Sequence, residues 1–324
     1  QTKTPTISVL FNEKNEYVGG AGIVAKHLEA AGAKVTFTTV LGNDELMKYV
    51  KSSFKKSNIK LNAIIDKKRP TTNKNVITSD IYKLLKIDKV DNAPIDESII
   101  KRITSLIKSS RSNCVIFSDF RHGIFNNLSI HKFVNSIPKK IFKVADSQVA
   151  TRWGNISEFI DFDLITPNEK EARFSLADQD SNIGTLASKL RKENNYKNLI
   201  LKLGSKGVLC VGNELENEAF NINSFTDNVV DAVGAGDALL AYATLVLYKT
   251  KSLLLAGIIG SIAASCECEI DGNVPIKADK MNMKMLSYSS YERKRIAGLK
   301  KVNAFKDGLC ILLHMIRLFF WKKK

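Results

Sequence analysis

The amino-acid sequence predicts an α/β protein with a doubly wound, mostly parallel sheet, and three observations support that fold class. Short apolar runs alternate with helical patterns along most of the chain, which is typical of strand–helix–strand crossover units. The 324 residues, of which 44% are hydrophobic and 25% charged, match the usage of a large globular domain. No apolar run reaches the roughly eighteen residues that a membrane span needs, so we predict no transmembrane segment.

The elements follow in chain order from periodicity, since strands are short apolar runs and helices repeat apolar residues three or four positions apart. Strands are predicted at 34–41, 61–65, 114–118, 141–145, 163–166, 199–203, 208–211 and 219–222. Helices are predicted at 44–56, 96–109, 128–137, 183–194, 236–248 and 252–264. Two strand-like stretches lack a crossover helix, and we predict that 5–18 and 74–90 pair into a small antiparallel flap.

The net charge of +16 is concentrated at one end of the chain. Residues 277–324 hold thirteen Lys and Arg but only three Asp and Glu, which accounts for most of that charge. A basic tail is more often a solvated face or a weak polyanion contact than a specific reader of nucleic acid, and we predict no specific nucleic-acid partner. Its apolar stretch Leu309–Trp321 predicts an amphipathic helix that packs on the domain, on a partner or on a membrane surface.

The cysteines indicate a reducing environment. There are five, an odd number, and they are scattered and mostly lie inside apolar runs. Such cysteines are typical of reduced core thiols, so a cytoplasmic location is predicted.

The strongest chemical signal is the segment Asp231-Ala-Val-Gly-Ala-Gly-Asp237, which runs directly into an apolar helix. Small residues at Gly234, Ala235 and Gly236 let the backbone approach a ligand, and the free N–H groups of a helix start form an anion site. Asp237 is suited to accept a hydroxyl proton while those donors stabilise a transferred phosphoryl group. The segment alone is equally compatible with a tight turn followed by a first-turn acid.

This segment resembles the signature of the ribokinase-like (phosphofructokinase-B type) carbohydrate kinases, and three further motifs occur in that family's order. They are Gly19-Gly-Ala-Gly-Ile-Val-Ala25, Thr166-Pro-Asn-Glu-Lys-Glu171 and Lys202-Leu-Gly-Ser-Lys-Gly207. The similarity covers residues 6–276. It implies a ribokinase-like three-layer α/β/α domain over 1–276, with a mostly parallel central sheet and a small antiparallel β flap, followed by a basic tail over 277–324.

The resemblance also implies ATP, Mg²⁺ and a role for each matched position. Asp237 would be the general base, and its anion hole would be Gly234, Ala235 and Gly236. The positions implied along the nucleotide are Lys202, Gly204, Ser205, Gly207 and Asn168. Asn168 and Glu171 would organise Mg²⁺, although both are also compatible with a plain helix cap. The sugar would lie against Gly19, Gly20 and Gly22, and a monovalent cation could support the loop before Gly234.

Within the family, Arg69–Lys74 and Leu84–Asp88 look most like the kinases that act on heptose 7-phosphate and feed nucleotide-heptose synthesis. Cationic groups suit an anionic sugar substituent, and guanidinium forks suit phosphate. The candidates are Arg69, Lys74, Arg121, His122 and Arg152, each of which is also compatible with a plain surface charge. The implied partners are a sugar or sugar phosphate, a second copy through the flap, and a fused or separate nucleotidyltransferase.

Two departures from the family leave an alternative open. Ile23 stands where the family usually has an Asn that holds a sugar hydroxyl, and an Ile side chain cannot form that hydrogen bond. The family also begins with a strand and an Asp-bearing turn ahead of the flap, and here the flap begins within about ten residues of Gln1, as in a truncated sequence. The leading hypothesis is an ATP-dependent sugar kinase. The alternatives are a catalytically impaired sugar or nucleotide binder and a polyanion or membrane-surface module that uses the tail.

Overall fold

The computed structural model describes residues 8–79, 82–148, 155–212, 219–226 and 228–281. Its strands are β1 (Thr36–Leu41), β2 (Lys60–Ile65), β3 (Asn73–Ser79), β4 (Tyr82–Lys89), β5 (Cys114–Asp119), β6 (Phe142–Ser147), β7 (Leu164–Ile165), β8 (Asn198–Lys202), β9 (Val208–Gly212) and β10 (Ala219–Ile222). Its helices are α1 (Ala21–Ala30), α2 (Glu45–Lys55), α3 (Glu97–Lys108), α4 (Asn127–Val134), α5 (Glu169–Leu176), α6 (Ile183–Glu193), α7 (Ala235–Thr250) and α8 (Leu253–Cys268).

Local sequence explains where several helices begin. Asp44 caps α2 by accepting a hydrogen bond from the Met47 N–H, and Ser252 caps α8 in the same way. Asn126 and Asn168 each form a reciprocal capping box, at the starts of α4 and α5. These side chains satisfy backbone donors that a helix start leaves without partners, so the predicted helix boundaries agree with the structure to within a few residues.

The main sheet has the strand order β10-β9-β8-β7-β6-β5. Strands β5 to β8 are parallel, while β9 is antiparallel to both β8 and β10. β1 and β2 form a separate parallel pair. Among the described residues, the outer edges of β1 and β5 have no strand partner. The predicted mostly parallel sheet is confirmed, and it falls into two pieces.

Helices cover both faces of the main sheet, because alternate side chains of a strand point to opposite sides. Val144, Leu164 and Ile200 face one core, which they share with α1, α7 and α8. Ala145, Ile165 and Leu199 face a second core, which they share with α3, α4 and α6. Cys210 and Cys266 are buried in the first core. This arrangement is the predicted three-layer α/β/α architecture.

The antiparallel flap consists of β3 and β4, and the prediction that 5–18 contributes a strand is wrong for Ser8–Val18. Leu10 is 98% exposed and Phe11 83% exposed, so neither packs against a sheet. A strand-like composition forms a strand only where another edge accepts its hydrogen bonds. β3 and β4 pair with each other, and Ser8–Val18 runs without regular structure.

Residues 282–324 of the predicted tail lie outside the described residues, as does Arg152. The predicted domain boundary at 276 therefore stays a prediction. None of the described helices is both long enough and apolar enough to cross a membrane.

Candidate active site

The predicted site residues lie together around one open cavity of about 2240 Å³. It is bordered by the carboxyl ends of β6 and β8, the start of α7 and the flap, which is where ligands bind in open α/β sheets. The predicted residues that line it are Gly19, Gly20, Gly22, Arg69, Lys74, His122, Asn168, Glu171, Lys202, Gly204, Ser205, Gly207, Gly234, Ala235, Gly236 and Asp237. Arg121 is not among the residues that line the cavity.

The start of α7 has the geometry of an anion hole. Gly234 precedes the helix with φ of 91°, a conformation that side-chain-bearing residues rarely adopt. A Cβ atom at Gly234 would lie 2.8 Å from Glu267 Oε1 and 3.0 Å from Asn273 Oδ1. Glycine is thus required there for both conformation and space. The first N–H groups of a helix have no partner within that helix, and the residues that carry them here border the cavity, although the Ala235 N–H also lies 3.4 Å from the Ala232 carbonyl oxygen.

Asp237 lies in the first turn of α7 and borders the cavity. Burial, together with the negative charge of Asp146, raises the pKa of its carboxyl group to about 7, against the opposing charges of Lys202 and Lys74. A carboxylate with a pKa near the working pH is well suited to accept a proton. Asp237 also lies close to the positive groups that a transferred phosphoryl group requires.

Lys202, at the end of β8, lies between the predicted metal residues and the anion hole. Its Nζ atom is 2.9 Å from Asp146 Oδ2, and a Cβ on Gly236 would lie 3.3 Å from it. The Lys202 backbone bridges to Asn168, which holds the loop before α5 beside the end of β8. Sequence reasoning did not select Asp146, although a carboxylate at the carboxyl end of a parallel strand was the available signal.

Asn168 and Glu171 form the capping box of α5 at the cavity wall. Asn168 Oδ1 accepts from the Glu171 N–H at 2.9 Å, and Glu171 Oε2 accepts from the Asn168 N–H at 2.7 Å. Both functions that the sequence left open are therefore compatible, since each residue caps the helix and also faces the cavity. The described residues contain no cluster of three or more His, Cys, Asp and Glu that could hold a metal by themselves.

The turn between β8 and β9 borders the other end of the cavity. Gly204 and Gly207 both have positive φ, and a Cβ on Gly207 would lie 2.0 Å from the Ile222 carbonyl oxygen. The Ser205 backbone is part of this short turn. Ser261 and Ser265 of α8 line the same region, and their buried hydroxyl groups have no hydrogen-bond partner among the described residues.

The glycine turn before α1 borders the side of the cavity that faces the flap. Gly20 caps α1 with φ of 57°, and a Cβ on Gly22 would lie 2.4 Å from Val18 Cγ1. Ile23 is fully buried and does not line the cavity. The departure at Ile23 therefore places an apolar side chain in the core.

The two predicted arginines are held by the protein's own carboxylates. Arg69 Nε lies 2.9 Å from Asp66 Oδ2, and its other nitrogens donate to backbone carbonyls. Arg121 pairs with Asp119 at 2.7 Å and with Glu158 at 2.6 Å. Both guanidinium groups are poorly exposed and paired with carboxylates, which favours a structural function for both, although Arg69 also borders the cavity.

Lys74 and Lys86 form a different cationic group at the flap, and His122 lies beside them. Burial lowers the pKa of Lys74, and the charge of Lys86 lowers it further. Burial and the two lysines lower the pKa of His122 to about 4. His122 Nδ1 contacts Asn92 Oδ1 at 3.0 Å, while its buried Nε2 has no hydrogen-bond partner among the described residues. The like charges of the two lysines, held this close, favour the binding of an anion. Lys86 was not predicted from the sequence, because lysines on a flap strand resemble ordinary surface charges.

A comparison of the sequence with protein families decides the assignment. Residues 3–274 match the family described as pfkB family carbohydrate kinase. The chain belongs to the pfkB family of carbohydrate kinases. The resemblance seen in the four motifs is thereby confirmed, and the domain is a sugar kinase, a phosphotransferase with an alcohol group as acceptor.

Curated relatives of this pfkB domain are longer than the chain. It is 26% identical over 269 residues to the Bifunctional protein HldE of Sulfurimonas denitrificans, covering 81% of this chain and 55% of that protein. It is 26% identical over 285 residues to the Bifunctional protein HldE of Helicobacter pylori, covering 82% of this chain and 60% of that protein. The chain thus spans little more than half the length of these relatives.

Solved pfkB-type structures share the fold. Phosphofructokinase-2 from Escherichia coli in complex with potassium superposes with a TM-score of 0.71 at 17% identity, covering 86% of this chain and 92% of that one. Ribokinase from Thermotoga maritima superposes with a TM-score of 0.63 at 23% identity, covering 82% and 85%. The ribokinase-like architecture is therefore confirmed.

Proposed function

We propose that this pfkB domain transfers the γ-phosphoryl group of ATP to a hydroxyl group of a sugar phosphate, with Asp237 as general base. One observation carries the proposal: the Asp237 carboxylate and the peptide groups of Gly234, Ala235 and Gly236 meet at the start of α7 on one open cavity. The donors suit charge that develops on a phosphoryl group, and the carboxylate suits the proton that the attacking hydroxyl loses.

In this mechanism Asp237 takes the proton from the sugar hydroxyl while the sugar oxygen attacks the γ-phosphorus. The bond between that phosphorus and the bridging oxygen breaks, and ADP leaves. The N–H groups at the start of α7 stabilise the equatorial oxygens of the transferred group. Little covalent chemistry is required of the protein, so positioning and electrostatics provide most of the acceleration.

Mg²⁺ fits this site as an ion shared with the nucleotide. Mg²⁺ prefers hard oxygen ligands and usually binds through one or two carboxylates, waters and substrate phosphates. Asn168 and Glu171 supply such oxygens at the cavity wall, and the buried Asp146 Oδ1 nearby has no hydrogen-bond partner among the described residues. Asn168 and Glu171 would hold the ion, which neutralises charge on the nucleotide phosphates. The nucleotide would extend past Lys202, Gly204, Ser205 and Gly207.

The cationic group at the flap supports a sugar that carries an anionic substituent. Lys74 and Lys86 lie on one face of the flap, because Lys74 pairs with Asp88 across the strands and Val76 pairs with Lys86. His122 faces this group from the loop after β5. We propose a heptose 7-phosphate-like sugar, with its hydroxyl end against Gly19, Gly20 and Gly22.

The opposite face of the flap supports a homodimer. It carries Ile77, Leu85 and Ile87, which are 39%, 52% and 49% exposed. A two-stranded ribbon that is exposed on both faces is only marginally stable by itself. We propose that a second copy covers this apolar face. A fused or separate nucleotidyltransferase is a further proposal, motivated by the bifunctional relatives.

A monovalent cation and a cytoplasmic location complete the proposal. The Glu267 carboxylate oxygens are buried, have no hydrogen-bond partner among the described residues, and lie beside Gly234 and Asn273. These oxygens fit a cation that supports the anion-hole turn, and one related phosphofructokinase-2 structure contains potassium. The cytoplasmic location rests on the odd number of cysteines and on their scattered positions, mostly inside apolar runs.

The proposed function is tested by measuring ATP consumption over a panel of sugars and sugar phosphates that includes heptose 7-phosphates. We expect turnover with a sugar phosphate, and a loss of about 10²- to 10⁴-fold in kcat for Asp237→Asn. The matched control is Glu45→Gln, which removes a first-turn acid at α2, away from the cavity. Equal turnover by wild type and Asp237→Asn would show that Asp237 is not the general base. Ligand-induced stabilisation without any phosphorylated product would favour the impaired binder instead.

A further inference from the structure

The carboxyl ends of β6 and β8 carry a poorly accessible ion pair. Lys202 Nζ lies 2.9 Å from Asp146 Oδ2, and the Lys202 side chain is only 17% exposed. β7 lies between these strands but contains only two residues, so the two side chains meet beyond its end. Asp146 uses one carboxylate oxygen for this pair, and its other oxygen, Oδ1, is buried without a hydrogen-bond partner among the described residues.

The pair places a positive charge directly beside the start of α7. A Cβ on Gly236 would lie 3.3 Å from Lys202 Nζ. Burial opposes the charge, but the carboxylates of Asp146, Glu171 and Asp237 outweigh it and raise the Lys202 pKa, so the group is an ammonium ion. An ammonium ion next to the positive end of a helix is unfavourable unless an anion bridges the two. The arrangement therefore suits a group with several negative oxygens.

We propose that Lys202 is a catalytic residue whose ammonium group neutralises the transferred phosphoryl group, and that Asp146 is the positioning residue that holds it there. The inference rests on the proposed kinase reaction. Lys202 keeps its protons throughout: the sugar oxygen bonds to the γ-phosphorus, the bond to the β-phosphate oxygen breaks, and the hydroxyl proton goes to Asp237. The Lys202 ammonium group offsets the negative charge on the phosphoryl oxygens during the transfer. Without Asp146, the ammonium group is free to pair with Asp237 and to weaken the base.

The competing explanation is a purely structural ion pair, and the chain offers a matched control for it. Lys197 Nζ lies 2.6 Å from Asp163 Oδ1 just before the amino ends of β8 and β7, so this second Asp–Lys pair belongs to the same sheet but to its opposite edge. Neither residue lines the cavity. The Lys197 side chain is 64% exposed, and ion pairs with an exposed partner contribute little net stability. Asp163→Asn and Lys197→Met therefore report the structural consequences of losing such a pair.

The experiment compares Lys202→Met, Lys202→Arg, Asp146→Asn and the Asp146→Asn/Lys202→Met double variant with these controls. Calorimetry with Mg²⁺ measures the affinities of ADP and of the β,γ-imido analogue of ATP, which requires no sugar. The preference is the ratio of the analogue's affinity to that of ADP. We expect Lys202→Met to lower this ratio about tenfold and to lower kcat about 10²- to 10³-fold. Lys202→Arg should recover part of both losses because it keeps the charge. Asp146→Asn should lose less, and the double variant should be no worse than Lys202→Met.

Two outcomes would overturn the inference. In the first, Lys202→Met and Asp146→Asn prefer the ATP analogue over ADP as strongly as the control variants do, and their kcat is equally high. In the second, the losses simply add in the double variant. Should Asp146→Asn not fold, Asp146→Glu replaces it, and the expected result is a lower kcat from a misplaced ammonium group. If the wild type transfers no phosphoryl group, the proposed function fails, while the ratio of the two affinities still decides whether Lys202 contacts the terminal phosphoryl.

Discussion

The Asp237 carboxylate has an environment that favours neither its charged nor its neutral form strongly. Burial and Asp146 stabilise the protonated form, while Lys202 and Lys74 stabilise the carboxylate, and the balance leaves a pKa of about 7. A first-turn acid that merely stabilised a helix would gain most from full exposure and full charge. The enclosed position thus favours proton acceptance as the function of this side chain.

Activity should depend on the ionisation of Asp237. A base must be unprotonated, so kcat/KM should fall as the pH drops through about 7, with one proton bound per molecule. This fall is the acid limb of the pH profile. Asp146→Asn removes a neighbouring negative charge, which lowers the Asp237 pKa and should move the acid limb to lower pH. Lys202→Met removes a positive charge and should move it to higher pH. The measurement is the pH dependence of kcat/KM.

The control for these shifts is the Asp163→Asn variant, whose charge change lies outside the cavity. Its acid limb should coincide with that of the wild type. An acid limb that stays in the same place in all of these variants would show that a group other than Asp237 sets the pH dependence.

Helix α5 combines a structural and a chemical function at one end. Its capping box joins Asn168 and Glu171 through their backbone N–H groups, while both residues also face the cavity beside Lys202. A capping box accepts Gln in place of Glu, because the amide oxygen can accept the same hydrogen bond. The two functions are therefore separable by a substitution that keeps the cap and removes the charge.

Glu171→Gln should leave the free energy of unfolding within about 0.5 kcal/mol of the wild-type value, because the capping hydrogen bond is retained. It should weaken the apparent affinity for Mg²⁺ on the order of tenfold or more, as measured by the dependence of kcat on free Mg²⁺. Glu169→Gln is the matched control, since Glu169 lies in the same first turn, pairs with Arg173 and does not line the cavity. Equal Mg²⁺ dependence in the two variants would argue against Glu171 as a metal residue.

The molecule as a whole presents the flap as a ribbon with two chemically different faces. One face carries Lys74 and Lys86 toward His122, and Lys83 of the flap lies 3.0 Å from Asp231, near the start of α7. The other face is apolar. A cover on the apolar face would hold the lysines over the cavity, so the oligomeric state and the affinity for an anionic sugar should be linked.

Ile87→Asp, on the apolar face but outside the cavity, should convert a dimer to a monomer and raise KM for the sugar phosphate more than it lowers kcat. The reason is that a charge on the apolar face opposes its burial against a second copy. Sedimentation or light scattering gives the mass, and steady-state kinetics gives the two constants. Leu128→Asp is the control, because Leu128 is similarly exposed, at 57%, but lies on α4. A wild-type monomer, or an Ile87→Asp dimer, would contradict the proposal.

Local patterns were sufficient for most of the fold and for the central site. Apolar periodicity located the main-sheet strands, and the Gly-Ala-Gly turn before α7 predicted the anion hole, because both depend on residues close together in the chain. The family membership followed from motifs of the same local kind. The glycines at 234 and 207 are examples, since the positive φ that each adopts is a property of its own turn.

Contacts between residues far apart in sequence were decided only by the tertiary structure. Asp146 and Lys202 are separated by 56 positions, and their pairing depends on β7 being too short to keep them apart. Arg69 and Arg121 were predicted from the sequence as substrate-binding residues, and the tertiary structure places a carboxylate beside each of them. The 8–18 stretch had a strand-like composition but pairs with no strand in the structure. Charge pairing and strand pairing depend on distances and open edges in three dimensions, which composition and spacing do not contain.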